Sequence, residues 1–269
     1  MRYAILISES DLASQNVKEK LIALYNLRKR IEENKNILEI HHIKDCIFCN
    51  EIDKKIEADY FIFVSRHESS SKFKTLSLHF PGNWGKAILG GKDKKLCKAP
   101  ASLLKNLFLN LNRIAKEEGN KEYNITLEAT HHGPYLEKPC LFIEIGSSKI
   151  EWEDDFAGKI IARTLYETLT SKMEQYKTTI GIGSTHYPNN FNRLLLETEF
   201  AISHICPKYA LNLLDEEMIN EAIEKTEENV EFATLDWKSL GKEKRKIVNC
   251  LEKIGLKYVK VKDLLKRKN

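Results

Sequence analysis

Histidines and carboxylates are concentrated in one stretch of the sequence, residues 124–148. The motif THHGP at 130–134 places two of the eight histidines of the chain side by side, and Glu128 and Glu144 lie close to it in sequence. Imidazole and carboxylate groups transfer protons near neutral pH and bind metal ions. This stretch is therefore the strongest candidate for a reactive site.

Strand periodicity predicts how these groups are positioned. Residues 124–130 and 140–145 have the composition of short strands, and alternate residues of a strand face opposite sides of a sheet. Glu128 and Glu144 would each point away from their apolar neighbours. Gly133-Pro134 would end the first strand, because proline lacks the N–H donor that a strand ladder needs. We therefore expect His131 and His132 at a strand end, where open α/β sheets bind ligands.

Three further loops with serine or histidine follow predicted strands: SRH at 65–67, GSS at 146–148 and GSTHYP at 183–188. If the strands are parallel, all of these loops open at one edge of the sheet and build one pocket. A metal could then be held by four histidines, helped by Glu128 or Glu144: His67, His131, His132 and His186. Zinc accepts such nitrogen and oxygen ligands and can keep one position open for water. The metal-free alternative uses a histidine as general base.

Strands and helices alternate along the rest of the chain. Apolar runs predict strands at 3–7, 37–43, 60–64, 75–80, 178–182, 200–205 and 230–233. Helical spacing predicts helices at 10–30, 100–119, 154–175 and 191–199, and others starting at 215 and 241. This alternation predicts an α/β fold with a mixed, largely parallel sheet flanked by helices. We expect residues 1–269 to form a single α/β catalytic domain with a basic C-terminal segment, 238–269.

Charge is distributed unevenly. The net charge is +4, but residues 238–269 contain 12 Lys or Arg against 3 Asp or Glu, so the remainder carries −5. Such a segment suggests contact with a polyanion, or alternatively a solvated helix face. A second basic patch consists of Lys86, Lys92, Lys94, Lys95 and Lys98, opposed only by Asp93. With Trp84 beside it, this patch could bind single-stranded nucleic acid by stacking and charge.

Several other classes of protein and site are disfavoured. No apolar run approaches the roughly 20 residues of a membrane span, and six cysteines without a paired framework indicate a reducing cytoplasm. Cys46-x-x-Cys49 resembles half of a zinc clip and has no second half. Residues 181–185 lack the third glycine of a dinucleotide fingerprint, and no GxSxG elbow is present. Residues 82–86 suit a plain turn as well as a phosphate loop.

Five ordered motifs together resemble one known family: SRHESS (65–70), LSLHFPGNWG (76–85), LEATHHGP (127–134), IEIGSS (143–148) and GIGSTHYPNNFNRLLLE (181–197). The chain is similar to the archaeal and plant class of D-aminoacyl-tRNA deacylases from about residue 3 to residue 236. The resemblance implies a cytoplasmic hydrolase that cleaves the ester between a D-amino acid and the 3′-terminal ribose of tRNA. It also implies dependence on Zn²⁺ and a core like that of phosphorylases and peptidyl-tRNA hydrolases.

The resemblance carries functional expectation to seven matching positions: His67, His79, Asn83, His131, His132, Glu144 and His186. Our hypothesis assigns catalysis to His67, Glu128, His131, His132, Glu144 and His186, and a metal to His67, His132 and His186. Substrate binding is expected at Ser65, Arg66, His79, Asn83, Gly133, Ser147, Ser148 and Thr185. Backbone amides at 146–148 could hold an oxyanion.

Other functions stay open at this point. A nucleoside phosphorylase or a peptidyl-tRNA hydrolase could be built on a related sheet. A non-catalytic RNA-binding module would bind uncharged tRNA without hydrolysing any ester. The clustered histidines argue against that module. The sequence does not decide between a monomer and a homodimer.

Overall fold

The computed structural model describes residues 1–25, 36–70 and 73–266, which contain ten strands and eight α-helices. The strands are β1 Arg2–Ser8, β2 Ile37–Ile43, β3 Tyr60–Glu68, β4 Thr75–His79, β5 Asn124–Leu127, β6 Cys140–Ser147, β7 Lys177–Ile182, β8 Phe200–Cys206, β9 Val230–Leu235 and β10 Tyr258–Lys260. The helices are α1 Leu12–Tyr25, α2 Ala101–Glu117, α3 Lys149–Trp152, α4 Asp155–Thr170, α5 Asn189–Glu197, α6 Glu216–Glu224, α7 Lys244–Lys253 and α8 Val261–Lys266. None of these helices is long and apolar enough to cross a membrane.

The strands form two sheets. The first has the order β2-β1-β3-β6-β4-β5, in which only the β4–β6 pairing is antiparallel. The second has the order β10-β9-β7-β8 and is parallel throughout. The predicted α/β class with a largely parallel, mixed sheet flanked by helices is confirmed, although the strands are divided between two sheets.

The main apolar core covers one face of the first sheet. Ile5, Ile62 and Ile143 on this face are fully buried against helices α1, α2 and α4. The same cluster continues into the second sheet through Ile202 and Ile205 of β8. The two sheets therefore share one core.

The opposite face of the first sheet changes character along its strands. Near the start of β3 and β6 it carries Phe63 and Phe142, whose rings stack at 4.6 Å between centroids. Two residues further along each strand, the same face carries Ser65 and Glu144, which lie opposite each other in the β3–β6 register. Because side chains alternate across a strand, the sheet itself places polar groups beside an aromatic floor.

The expectation that every functional loop opens at one sheet edge is wrong. β5 runs antiparallel to β6, so its carboxyl end lies at the other end of the first sheet from the ends of β3 and β6. β7, which leads to His186, belongs to the second sheet. β5 ends at Leu127, so Glu128 and Thr130 lie beyond the strand. The N–H of Glu128 still donates to the carbonyl of Leu78 on β4, whereas the N–H of Thr130 donates to the carbonyl of Ile205 on β8.

Other predicted boundaries differ modestly. Asp11, not Ser10, caps α1, since its Oδ1 accepts from the N–H of Ser14. The predicted part of this helix at 26–30 lies outside the described residues. α4 ends at Thr170 because Ser171 leaves the helical conformation. The short elements β10 and α8 were not predicted.

Asn192 on α5 closes the outer edge of β5. Its Oδ1 accepts from the N–H of Leu127 at 2.8 Å, and its Nδ2 donates to Thr126 Oγ1 at 2.9 Å. All three residues are buried. The side chain therefore satisfies groups at the point where the chain leaves β5 for the histidine-rich loop.

We expect Asn192→Ala to lower the free energy of unfolding by about 1–3 kcal/mol, because it leaves the buried N–H of Leu127 without a partner and removes one hydrogen bond to the buried Thr126 hydroxyl. Urea unfolding followed by circular dichroism measures this loss. Arg193→Ala on the same helix is the control, since the exposed Arg193–Glu197 ion pair contributes less than about 1 kcal/mol. Equal urea midpoints for wild type and Asn192→Ala would show that the edge bond contributes nothing.

Candidate active site

Three neighbouring strands supply the floor of the site. Ser65 and His67 come from β3, Glu144 from β6 and His79 from β4. Side chains two positions apart on a strand face the same side of a sheet, so His67 shares a face with Ser65. Glu144 is paired with Ser65, and His79 is paired with the residue two positions before Glu144, so all four side chains lie on the polar face. The Ser65 hydroxyl donates to Glu144 Oε1 at 2.6 Å, which fixes the carboxylate on the floor.

Two loops cover this floor. The segment after β5 contributes Glu128, His131 and His132, and the loop after β7 contributes His186. The loops are bonded to each other, since the N–H of Ala129 donates to the carbonyl of His186 at 2.9 Å. The site is thus assembled from both sheets.

Glu128 is the more enclosed of the two carboxylates in the cluster, with 2% of its surface exposed. Its Oε1 lies 3.1 Å from His67 Nδ1, and its Oε2 lies 2.9 Å from His186 Nε2 and 3.6 Å from His131 Nε2. Burial alone would raise the pKa of Glu128, but interactions with His186 and His67 outweigh it and hold the pKa well below its usual value. Glu128 is therefore ionised although it is buried.

Glu144 is ionised for the same reason. Burial would raise the pKa of this carboxyl, but His67 and His79 lower it, with Oε2 lying 3.5 Å from His67 Nδ1 and 3.7 Å from His79 Nε2. Two carboxylates in one buried cluster would repel each other. The imidazoles between them compensate this repulsion.

Two of the histidines become cationic beside these carboxylates. Burial would lower the pKa of His67, but Glu128 and Glu144 overcome it and raise the pKa to about 10. The pKa of His79 is also raised, because Glu144 and Glu128 outweigh the effect of its complete burial. His67 Nε2 lies 2.8 Å from the hydroxyl of Tyr187, so the imidazolium can donate on both sides.

The two histidines of the THHGP motif are neutral. Burial lowers the pKa of His131 well below its ordinary value, and the neighbouring rings of His132 and His79 disfavour its protonation further. Burial and His79 lower the pKa of His132 to about 4. His132 also has φ 44°, a left-handed backbone conformation that is uncommon outside glycine, so the loop holds its ring in an enforced position.

Backbone carbonyls hold one nitrogen of each of three histidines. Nδ1 of His131 lies 2.8 Å from the carbonyl of Ala129, Nδ1 of His79 lies 3.3 Å from that of Phe80, and Nδ1 of His132 contacts that of Gly133. An Nδ1–H that donates to a carbonyl leaves Nε2 as the free nitrogen. Metal-binding histidines are commonly oriented in this way.

The cluster can hold a metal ion. One ligand atom from each member lies within 4.8 Å of the others in three groups: His79–His131–His132, His67–Glu128–His186 and His79–Glu128–Glu144. Among the described residues, no well-aligned hydrogen bond reaches His79 Nε2 or either oxygen of Glu128. Such buried, unsatisfied nitrogen and oxygen atoms suit a cation. The predicted metal trio is divided, because Glu128 lies between His67 and His186 whereas His132 groups with His79 and His131.

A pocket of about 430 Å³ opens over the cluster. Among the predicted site residues, its lining includes Ser65, Arg66, His67, His131, His132, Glu144 and His186. The Arg66 guanidinium lies 5.3 Å from the centre of the Trp152 ring at the pocket rim, and the Arg66 N–H donates to Asp11. The space is large enough for an amino acid and part of a nucleotide, and it has charged walls.

Six predicted substrate-binding residues lie outside this pocket lining: His79, which lies on β4 in the floor of the site, and Asn83, Gly133, Ser147, Ser148 and Thr185. The Asn83 amide donates to the carbonyl of Gly90 at 2.9 Å, and the Gly133 N–H donates to the carbonyl of Leu89, so both residues fix the neighbouring loop. Thr185 donates to the carbonyl of Tyr187. Ser147 alternates to the opposite face of β6 from Glu144, and Ser148 caps α3.

The expectation of an oxyanion hole at 146–148 is wrong for Ser148. Its N–H donates to Glu151 Oε2 at 3.0 Å within a capping box. Gly146 is paired in the sheet with His67 on one side and Thr75 on the other. The backbone here is used for structure.

The basic patch at 86–98 does not form a stacking surface. Trp84 is 6% exposed, and its Nε1 donates to the carbonyl of Thr130 at 3.1 Å. Four lysines of the patch have acidic partners within 4 Å: Lys86–Asp93, Lys92–Glu51, Lys94–Asp215 and Lys95–Glu221.

Cys46 and Cys49 are free thiols, and burial raises the pKa of Cys49 to about 12.

Sequence reasoning missed Tyr187 and Asp11. Tyr187 contacts His67, and burial together with Glu128 raises its pKa to about 12, so it stays a neutral hydroxyl. Asp11 lines the pocket and supports β3 through Arg66. Tyr187 adjoins His186 in the GSTHYP motif, which was the available signal. No signal in the sequence identified Asp11, apart from its position before a helix.

Comparisons with known proteins agree on one family. A family model described as D-aminoacyl-tRNA deacylase matches residues 54–259. A D-aminoacyl-tRNA deacylase of Pyrococcus furiosus is 37% identical over 95% of this chain and 98% of its own length, and one of Methanosarcina acetivorans is 37% identical over 98% and 93%. The crystal structure of a conserved protein of unknown function, AF0625, superposes with a TM-score of 0.88 at 31% identity, covering 99% of this chain and 97% of that one. The chain belongs to the D-aminoacyl-tRNA deacylase family.

Proposed function

We propose that the chain hydrolyses the ester that joins a D-amino acid to the 3′-terminal ribose of tRNA, releasing free amino acid and tRNA. Membership in the deacylase family supports the reaction and the substrate. The observation that carries the chemistry is a pocket over five histidines and two ionised carboxylates. Since aminoacylated tRNA is used in translation, we place the enzyme in the cytoplasm.

We propose that His79, His131 and His132 hold a Zn²⁺ ion. Their nitrogens converge, and backbone carbonyls fix their Nδ1 atoms. His131 and His132 are neutral, as ligands must be, and His79 would give up its proton on binding. Zinc on three protein ligands lowers the pKa of a bound water and polarises an ester carbonyl. Three nitrogen ligands favour zinc over calcium or magnesium, which prefer oxygen.

The low pKa of His132 disfavours it as general base. A base acts best when its pKa is near the working pH, and a histidine with a pKa of about 4 accepts protons weakly. His186 suits the role better, because it lines the pocket and is 32% exposed at its side chain. Glu128 favours the tautomer with a proton on Nε2, which leaves Nδ1 of His186 free to accept a proton from water.

His67 supplies positive charge to the pocket. Its imidazolium is held between Glu128, Glu144 and Tyr187, and it lines the cavity. We assign it to stabilising the negative charge that develops on the carbonyl oxygen during attack. In this proposal His67 takes the role that the sequence analysis expected of the backbone amides at 146–148.

We propose that residues 1–269 act as one catalytic unit with a basic C-terminal segment, 238–269. The shared apolar core and the origin of His186 in the second sheet support this. The alternative of a nucleoside phosphorylase is disfavoured, because Glu128 and Glu144 would repel a phosphate ion in the pocket. The peptidyl-tRNA hydrolase alternative is disfavoured by the family match.

Replacing His186 by alanine should lower kcat for D-tyrosyl-tRNA by about 10²–10⁴-fold, because it removes the general base. Binding of uncharged tRNA should be unchanged. Single-turnover deacylation and fluorescence anisotropy measure the two quantities. His42→Ala on the exposed edge strand β2 is the control and should behave as wild type. Wild-type kcat in His186→Ala would refute its role.

Chelation should stop release of D-tyrosine from D-tyrosyl-tRNA, and added Zn²⁺ should restore it, whereas L-tyrosyl-tRNA should be hydrolysed slowly in every condition. His132→Ala should lose most of its bound zinc and its turnover, since one of three ligands is gone. Elemental analysis of the purified proteins measures zinc content, with His42→Ala again as control. Full zinc content in His132→Ala would show that this histidine is not a ligand. Failure to release either amino acid would contradict the deacylase function itself.

A further inference from the structure

A second large groove lies at the C-terminal end of the second sheet, outside the histidine cluster. Its volume is about 710 Å³, and it runs between the end of β9 and helix α8. Its cationic lining consists of Arg193, Lys238, Lys260, Lys262 and Lys266, against Asp236 and Asp263. None of these residues contributes to the pocket over the histidines.

The lysines of this groove have unneutralised charge. Within the described part of the chain, four lysines of the groove form no ion pair within 4 Å, and all four are exposed: Lys238, Lys260, Lys262 and Lys266. The patch at 86–98 differs, because four of its five lysines are paired with acidic groups. Of the two basic regions in the sequence, the groove is the one that can attract an anion.

The tryptophan in the groove is already covered by cations. The Nζ atoms of Lys244 and Lys260 lie 4.7 Å and 4.5 Å from the ring centre of Trp237. Each contact is a cation–π interaction that positions an ammonium group. A base cannot stack on a face that an ammonium group occupies. The groove is therefore suited to phosphates rather than to unstacked bases.

The groove adjoins the active-site pocket through one short loop. β7 and β9 are parallel neighbours, so the loop with His186 and the segment with Trp237 leave the same edge of the second sheet. Asn190 lines the groove and donates to Asp236 at 3.0 Å. Asn190 is four residues from His186, so their Cα atoms are at most about 14 Å apart.

We propose that this groove binds the sugar-phosphate backbone of the tRNA acceptor stem while the aminoacylated 3′ end occupies the histidine pocket. The proposal rests on the proposed deacylase function for its choice of polyanion. The groove supplies position and affinity, and it contributes nothing to the chemical step. Binding by lysines to phosphates is independent of base sequence and strongly dependent on salt.

The test compares two triple variants with equal loss of charge: Lys238→Ala/Lys262→Ala/Lys266→Ala in the groove, and Lys86→Ala/Lys92→Ala/Lys94→Ala in the paired patch. Anisotropy titrations measure the Kd of uncharged tRNA between 50 and 200 mM salt, which needs no catalysis. Deacylation assays give kcat and KM for D-tyrosyl-tRNA. D-tyrosyl-adenosine serves as a substrate without a stem.

The groove variant should bind tRNA about 10-fold more weakly and lower the salt slope by about 2–3, roughly one per lost phosphate contact. Its KM should rise with kcat unchanged, and its rate on D-tyrosyl-adenosine should equal that of wild type, which also shows that it is folded. The paired-patch variant should change Kd by less than about 2-fold. An acceptor-stem hairpin should compete better than a single strand of equal length.

The proposal is overturned if the groove variant keeps the wild-type Kd and salt slope, or if both triple variants weaken binding equally. Equal competition by the single strand would overturn the assignment to duplex backbone. Loss of rate on D-tyrosyl-adenosine would overturn the separation of groove from chemistry. Normal tRNA binding by a protein without any deacylase activity would refute the proposed function while leaving the groove measurement valid.

Discussion

The buried negative charge of Glu128 is the constraint around which the site is built. An isolated carboxylate in a protein interior costs several kcal/mol, so it persists only with compensating partners. Here the partners come from separate elements: His67 from β3, His131 from the loop after β5 and His186 from the loop after β7. One carboxylate thereby connects the first sheet, its covering loop and the second sheet.

The same burial divides the histidines into two chemical types. His67 and His79 lie beside ionised carboxylates, so their pKa values rise despite desolvation. His131 and His132 lie beside cationic rings, and desolvation and repulsion both lower their pKa values. Four residues of one type thus supply two cationic and two neutral rings within one cluster. The arrangement depends on the order of the charges, since carboxylates stabilise both cations and His79 in turn disfavours protonation of His131 and His132.

Local rules predicted the parts of the site that local structure determines. Strand alternation placed Glu144 away from its apolar neighbours, and the clustering of histidines pointed to the loops that the fold brings together over the sheet. The position of Glu128 was beyond these rules, because β5 pairs with β4 and not with β6, and pairing direction depends on contacts distant in sequence. Neutralisation of Lys95 was equally hidden, since its partner Glu221 is 126 residues away. Pattern identifies candidate groups, whereas long-range pairing decides which of them meet.

Long-range pairing also explains why the two basic regions differ in character. Lys94 and Lys95 lie against Asp215 and Glu221, at the start of α6 and within it, so their charges are internal to the fold. The lysines of β10 and α8 close the chain at the edge of the second sheet, where few acidic groups are within reach. The loop that carries His186 leaves the carboxyl end of β7, an inner strand of the same sheet. A single parallel sheet therefore fixes the spacing between the group proposed to activate water and the surface proposed to hold the nucleic acid, so the two functions need no separate domain to coordinate them.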